Sequence, residues 1–155
     1  MDIEIKKVYS SENEIVIDLF DKSQKLYKQP SNTEVSKTYI KERLEKNNAQ
    51  IYVAFKGENP NPIAFTLLYP KISLVSPKKN WHIGYLYVEI DQRKKGIAKR
   101  LLSTVLNFAK NEGANFISLN TGIDNYCARN LYENFGFVKE EYLSGYLYYQ
   151  FNLQN

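Results

Sequence analysis

"WHIGYLYVEIDQRKKGIAKRLL", residues 81–102, contains the change of period on which the fold turns. Its first ten residues alternate as a strand does. Trp81, Ile83, Tyr85, Tyr87 and Glu89 fall on one face, and His82, Gly84, Leu86, Val88 and Ile90 on the other. From Ile97 the spacing becomes helical. Ile97, Leu101, Val105 and Phe108 form a stripe, and Ala98, Leu102, Leu106 and Ala109 widen it into a face able to lie on a sheet. Between strand and helix the chain crowds Arg93, Lys94, Lys95, Lys99 and Arg100 around Gly96. These cations repel one another and oppose the positive end of the helix dipole. A helix start also has N–H groups without internal partners, and phosphate oxygens satisfy both features. The small residues Gly96 and Ala98 let a ligand approach the backbone, while Arg93 and the lysines add charge-assisted contacts. The competing reading is a plain solvated helix start.

Outward from this junction the chain reads as an uninterrupted series of elements. "DIEIKKV" is a first strand. "SENEIVIDLFDKSQKLYK" is a helix with a capping box of Ser11 and Glu14, ended at Gln29-Pro30. A second helix is expected from Ser31 to about Asn47. "AQIYVAF" (49–55) and "IAFTLLYP" (63–70) make a hairpin around "KGENPNP", and Pro70 and Pro77 bracket a loop or irregular edge extension. After the 97-onward helix, Gly113 is a helix C′ residue. Then come a strand at 114–120, a short helix at 124–135 ended by Gly136, and two last strands hinged at Ser144-Gly145. The order is β-α-α-β-β-β-α-β-α-β-β, a mixed α/β (α+β) arrangement of helices on a sheet.

At 155 residues the chain has the size of one domain with a real core, spanning 1–155. No apolar run reaches the ~20 residues of a membrane span, and the N-terminal stretch lacks the apolar core of a signal peptide. The single cysteine, Cys127, allows no internal disulfide, which fits a cytoplasmic setting. A formal net charge of +4 suits a small anionic ligand or an acidic surface. The cations gather at one helix start instead of a groove-length stripe, which speaks against nucleic acid. With 13 tyrosines in the chain, no single Tyr argues for function by its presence.

The glycine pattern matches neither G-x-G-x-x-G nor G-x-x-x-x-G-K-S/T. Arg93-x-x-Gly96-x-Ala98, preceded by Leu86-Tyr87-Val88, resembles instead the GNAT superfamily of acetyl-CoA-dependent N-acetyltransferases, whose signature is Q/R-x-x-G-x-G/A at a strand-to-helix junction. A second stretch is similar to the same family: Asn125-x-x-Ala128-x-x-Leu131-Tyr132 followed by Gly136-Phe137. The element order also matches, so the resemblance covers the whole chain. It is specific at 86–102 and 120–138 and only topological before about residue 80. It implies a GNAT fold, a mostly antiparallel mixed sheet of about seven strands flanked by four helices.

The resemblance further implies transfer of acetyl from acetyl-CoA to a primary amine by direct attack, with no metal. It assigns the diphosphate to backbone amides of Arg93, Lys94, Lys95, Gly96, Ile97, Ala98 and Lys99; the side chains of Lys99 and Arg100 read as merely solvated. Tyr87 and Val88 serve as backbone contacts for the pantetheine and the acetyl oxygen, their side chains being core. Asn125 and Ala128 contact the cofactor arm, although Asn125 also reads as a helix cap. Tyr132 matches the general acid, since an ordinary phenol is protonated at pH 7 and can give a proton to a thiolate. Many relatives carry a Glu on the fourth strand where this chain has Gly84 and His82. A water chain with no single base is then the default reading, with His82 a candidate base and Glu89 a lesser one. Cys127 reads as a packed helical cysteine and not a nucleophile.

By the same resemblance the acceptor site draws on residues 20–40 and 70–82. These supply Phe20, Tyr27, Tyr39 and Trp81 beside Lys25, Lys28, Lys71, Lys78 and Lys79. The aromatics suit a cationic amine such as a polyamine or aminoglycoside. The lysines suit an amine that carries an anionic group, and a peptide amine is a third possibility. A non-catalytic acyl-CoA sensor on the same fold is the alternative function. The Tyr-rich final strands are either core or the interface of a homodimer.

Overall fold

A computed structural model of the protein describes residues 2–26, 32–72, 79–143 and 146–153. The elements are β1 (Ile3–Lys7), α1 (Glu14–Leu26), α2 (Thr33–Glu45), β2 (Gln50–Lys56), β3 (Ala64–Ile72), β4 (Lys79–Val88), α3 (Ile97–Asn111), β5 (Phe116–Gly122), α4 (Tyr126–Phe135), β6 (Val138–Leu143) and β7 (Tyr146–Asn152). Short 3-10 turns lie at Ser10–Glu12 and Ile90–Gln92. This is the order expected from the periodicity. The strands form one seven-stranded sheet in the order β1-β2-β3-β4-β5-β7-β6. The β1–β2, β2–β3, β5–β7 and β6–β7 pairs are antiparallel. The β4–β5 pair is parallel, with Trp81 opposite Ile117 and His82 opposite Ser118. A parallel neighbour needs a long crossover, and α3 supplies it. At β6 the register against β7 shifts between Lys139 and Glu141, a bulge.

The residues group into two compact units, Met1–Leu68 with Tyr85–Leu101, and Tyr69–Gly84 with Leu102–Asn155. In the first unit, Val16, Leu19 and Phe20 of α1 and Ile40 of α2 bury against Ile51, Val53, Phe65, Leu67 and Tyr87. Each such large apolar side chain contributes about 1.5–3 kcal/mol on burial. Asp21 fastens the two helices, because its Oδ1 accepts from the Asn32 backbone N–H (3.0 Å) and the Ser36 hydroxyl (3.2 Å). In the second unit, Trp81 packs edge-on against Phe108 of α3 at 4.9 Å. Tyr132 of α4 packs against Phe137 and Tyr149. On β7, Leu147 and Tyr149 are core while Tyr146 is exposed.

Several local expectations are corrected. Ser11 does not cap α1. It lies inside the 3-10 turn, and the helix opens after Asn13, whose carbonyl accepts from Val16 N–H. The cap of α2 is Asn32, whose Oδ1 accepts from Val35 N–H at 3.2 Å; Ser31 and the Gln29-Pro30 stop lie outside the described residues. Pro70 lies within the strand as expected, but β3 runs on to Ile72, two residues past the expected end. Pro77 and the Ser144-Gly145 turn are also outside the described residues. Gly113 is as expected. At φ +74 it follows α3, its N–H reaches Lys110 C=O, and Ala114 N–H reaches Ala109 C=O, both at 3.0 Å.

One polar residue drew no attention in the sequence. Asn80 of β4 is fully buried, and its Oδ1 accepts from the N–H groups of Asn115 (2.8 Å) and Phe116 (3.2 Å). It thereby pins the start of β5. Asn80→Ala strands those donors and should lower stability by about 1–3 kcal/mol. Urea unfolding measures this; an unchanged midpoint would show the pin to be dispensable.

Candidate active site

In the first unit the chain leaves β4 at Val88 and turns through Ile90–Gln92. Glu89 N–H donates to Ile63 C=O at 2.9 Å, which fixes the start of the turn. Lys94 (φ +64) and Gly96 (φ +83) then both take the left-handed conformation. Such turns aim successive N–H groups at one point and suit an anion. The Arg100 N–H to Gly96 C=O bond (3.2 Å) opens the α3 ladder, so the N–H groups of Ile97, Ala98 and Lys99 lie ahead of it. Among the described residues, none beyond its chain neighbours comes within 4 Å of where a Cβ on Gly96 would stand. Arg93, Lys94, Lys95 and Lys99 are exposed, whereas Ile97 is buried and anchors the helix start. Unspent donors, open space beside the backbone and surrounding cations fit a diphosphate.

Two of the cations do more than attract. Arg93 Nε donates to Val88 C=O at 2.8 Å, and its guanidinium lies over the Tyr87 ring at 5.7 Å. This braces the turn from below. Arg100, expected to be merely solvated, donates from Nη1 to Ile3 C=O at 2.8 Å and ties α3 to β1. The Tyr87 side chain is core, as expected, packed near Phe65. Its hydroxyl donates to Glu89 Oε1 (3.2 Å), and Lys22 Nζ donates to Oε2 (2.9 Å). Burial, then the Glu89 charge, push the Tyr87 phenol above its ordinary pKa. Glu89 is thus engaged in an ion pair.

In the second unit Asn125 caps α4, with Oδ1 accepting from Ala128 N–H at 3.2 Å. Gly136 ends the helix at φ +124, and a Cβ there would stand 2.8 Å from the Phe151 ring, so only glycine fits. Tyr132 is buried, its ring 5.8 Å from Phe137 and 6.3 Å from Tyr149. The Tyr149 hydroxyl donates to Glu133 Oε2 at 2.5 Å, which holds the ring beside Tyr132 from behind. Cys127 is exposed in the first turn of α4 and not packed, because its position faces away from the stripe that carries Tyr132.

His82 is 7% exposed, and its Nδ1 lies 2.7 Å from Ser118 Oγ. Desolvation first, and the Lys71 charge second, lower its pKa to about 4. The imidazole is therefore neutral at pH 7. Between pH 6.5 and 4 the unfolded chain takes up a proton there that the folded chain does not. This group's contribution thus costs stability as pH falls through that window. His82→Gln should remove one proton from that pH dependence, measured by denaturant unfolding at stepped pH; an unchanged slope would contradict the buried neutral state. Phe20, stacked on Tyr39, and Trp81, against Phe108, are core groups, so they do not form an exposed cation clamp. Tyr27, Lys28 and Lys78 lie outside the described residues.

A family model described as acetyltransferase (GNAT) family matches residues 14–137. The chain is 33% identical over 149 residues to the uncharacterized N-acetyltransferase YhfO of Bacillus subtilis, covering 96% of this chain and 97% of that protein. Its fold is similar to a crystal structure of a probable acetyltransferase, with TM-score 0.84 and 27% identity over 91% of this chain and 93% of that one. It also shares the fold of a chain in the NatC complex bound to Gag peptide and CoA, at TM-score 0.77 and 24% identity, covering 99% and 100%. The chain belongs to the GNAT acetyltransferase family and is an N-acetyltransferase. Among the described residues no helix is long and apolar enough to cross a membrane.

Proposed function

We propose that this chain, acting as one domain over 1–155, transfers acetyl from acetyl-CoA directly to a primary amine of a small molecule or peptide. The observation that carries the reading is Gly96: left-handed, open at its missing Cβ, at the head of α3. The cosubstrate, when bound, supplies a thioester carbon for the amine to attack and a thiolate that leaves. The backbone from Arg93 to Lys99 holds the diphosphate, with Lys94, Lys95 and Lys99 adding charge. Backbone groups of Tyr87 and Val88 bind the pantetheine and the acetyl oxygen, a role supported by family resemblance. Asn125 and Ala128 at the start of α4 line the cofactor arm. Tyr132 gives its phenolic proton to the thiolate.

His82 is proposed as the acceptor of the amine's proton. With a pKa of about 4 it cannot store that proton and passes it on to water. kcat/KM should therefore show no limb near 6.5, and His82→Gln should lower kcat at pH 7 by about 10²-fold; an unchanged kcat in the variant would overturn the assignment. The reading sets the reaction in the cytoplasm, where an exposed thiol such as Cys127 stays reduced.

The direct test incubates purified protein with acetyl-CoA and a panel of amines and measures released thiol. Exposed Cys127 adds a constant background, so a no-amine blank is subtracted. Amine-dependent thiol release is expected. Tight CoA binding with no release on any amine would sink the transfer reading.

A further inference from the structure

We propose that the polar sheet face of the second unit binds the acceptor through a carboxylate carried on the same molecule as the amine, with Lys71 and Tyr148 as the anchor. This rests on the transfer reading above for the identity of the bound molecule as acceptor.

The strand register defines the face. His82 stands opposite Ser118, Ser118 opposite Gln150, and Asn120 opposite Tyr148. These five side chains share one side of β4, β5 and β7. The other side carries Trp81, Ile117, Leu119 and Tyr149, and there Phe108 of α3 and Tyr132 of α4 pack. From β3, Tyr69 joins the polar side with its ring 5.2 Å from the His82 ring. Lys71 joins it too, with Nζ 3.4 Å from Tyr148 Oη and 4.5 Å from the Tyr148 ring centroid.

The Lys71–Tyr148 meeting is unusual in reach. β4 and β5 stand between β3 and β7, a spacing of about 14 Å at the usual strand separation. Two long side chains therefore arch over the shorter His82, Ser118 and Asn120. The Tyr148 hydroxyl donates its own hydrogen to Gln150 Oε1 at 2.9 Å, leaving its lone pairs toward Lys71. Lys71 is exposed, and among the described residues no carboxylate forms an ion pair with it. Its partners are a neutral phenol and a π face, which position an ammonium without neutralising it. His82 beneath is neutral and neither pairs with an anion nor repels one strongly.

A fixed, unneutralised ammonium favours a carboxylate by a charge-assisted bond and opposes a second ammonium. Tyr69 and Tyr148 offer aromatic surface to the carbon chain between the two ends. The chemistry is that of an amino-acid-like acceptor, and a polyamine is disfavoured.

The experiment uses matched series on the full chain: ω-amino acids from glycine to 6-aminohexanoate, the alkylamines of equal length, and the corresponding diamines. Affinity is measured calorimetrically with CoA saturating, and turnover separately by thiol release. The best ω-amino acid is expected to bind about tenfold or more tightly than its alkylamine, with the diamine weakest. Lys71→Met should erase that preference without weakening alkylamine binding, and Lys71→Glu should turn it toward diamines. Tyr148→Phe, which keeps the ring, should give an intermediate loss. Equal affinities, a diamine preference in the unmodified chain, no binding of any ω-amino acid, or a Lys71→Met chain that keeps the preference would each overturn the proposal. Carboxylate-selective binding without turnover would instead sink the transfer reading and leave this anchor standing. Turnover without carboxylate selectivity would do the reverse.

Discussion

Gly96→Val is expected to weaken CoA binding by about a hundredfold or more while leaving the fold nearly intact. The two halves of that result have separate causes. A β-branched residue at φ +83 carries the left-handed penalty of about 1–2 kcal/mol or somewhat more. Its Cβ meets open space, since nothing beyond the neighbouring residues lies within 4 Å of it. The chain can relieve the strain only by rotating the turn, and that re-aims the N–H groups of Ile97, Ala98 and Lys99. A bond to a charged group is worth about 1.5–3 kcal/mol, so losing two removes at least a factor of about one hundred. The new side chain also occupies the space a diphosphate would enter. Calorimetric titration with CoA, alongside a thermal melt, reads both quantities. An unchanged Kd would mean the diphosphate lies elsewhere.

Tyr132→Phe should lower kcat by about 10²–10³-fold, the usual worth of a positioned general acid, with the Kd for CoA unchanged. The substitution is unusually clean. The Tyr132 ring is packed against Phe137 and Tyr149, and phenylalanine keeps those contacts. Only the hydroxyl leaves. A structural role alone would appear as a lower Tm with kcat preserved, so the pair of measurements separates the two. Full turnover in the variant would move the proton donor to water.

Much of the architecture was legible because α3 and the strands have unambiguous periods. Ile97, Leu101, Val105 and Ala109 repeat at helical spacing, and all are buried. The glycines at 96, 113 and 136 stand where positive φ is needed, and all three adopt it. The diphosphate turn could thus be located from small residues and charge. What escaped the sequence were partnerships made by the tertiary fold. Nothing near Arg93 or Arg100 announces that their guanidinium groups hold backbone carbonyls of Val88 and Ile3. The aromatic character of Phe20 and Trp81 is the same whether a ring lies in the core or on a clamp, and packing decided for the core. Lys71 and Tyr148 are 77 positions apart, so their contact has no local signature at all. Cys127 was misplaced because a ten-residue helix gives few turns from which to judge its buried side.

The bulge between Lys139 and Glu141 has a bearing on how copies of the protein meet in concentrated solution. β6 is the last strand in the sheet order, and its outer rim would offer another molecule a template for adding a strand. The extra residue breaks the rhythm of donors and acceptors along that rim, and exposed Lys139 and Glu140 put charge beside the break. An incoming strand would lose step after two or three residues and meet charge where it needs apolar cover. The irregularity thus works as a stop at the sheet's end, holding the molecule back from open-ended stacking.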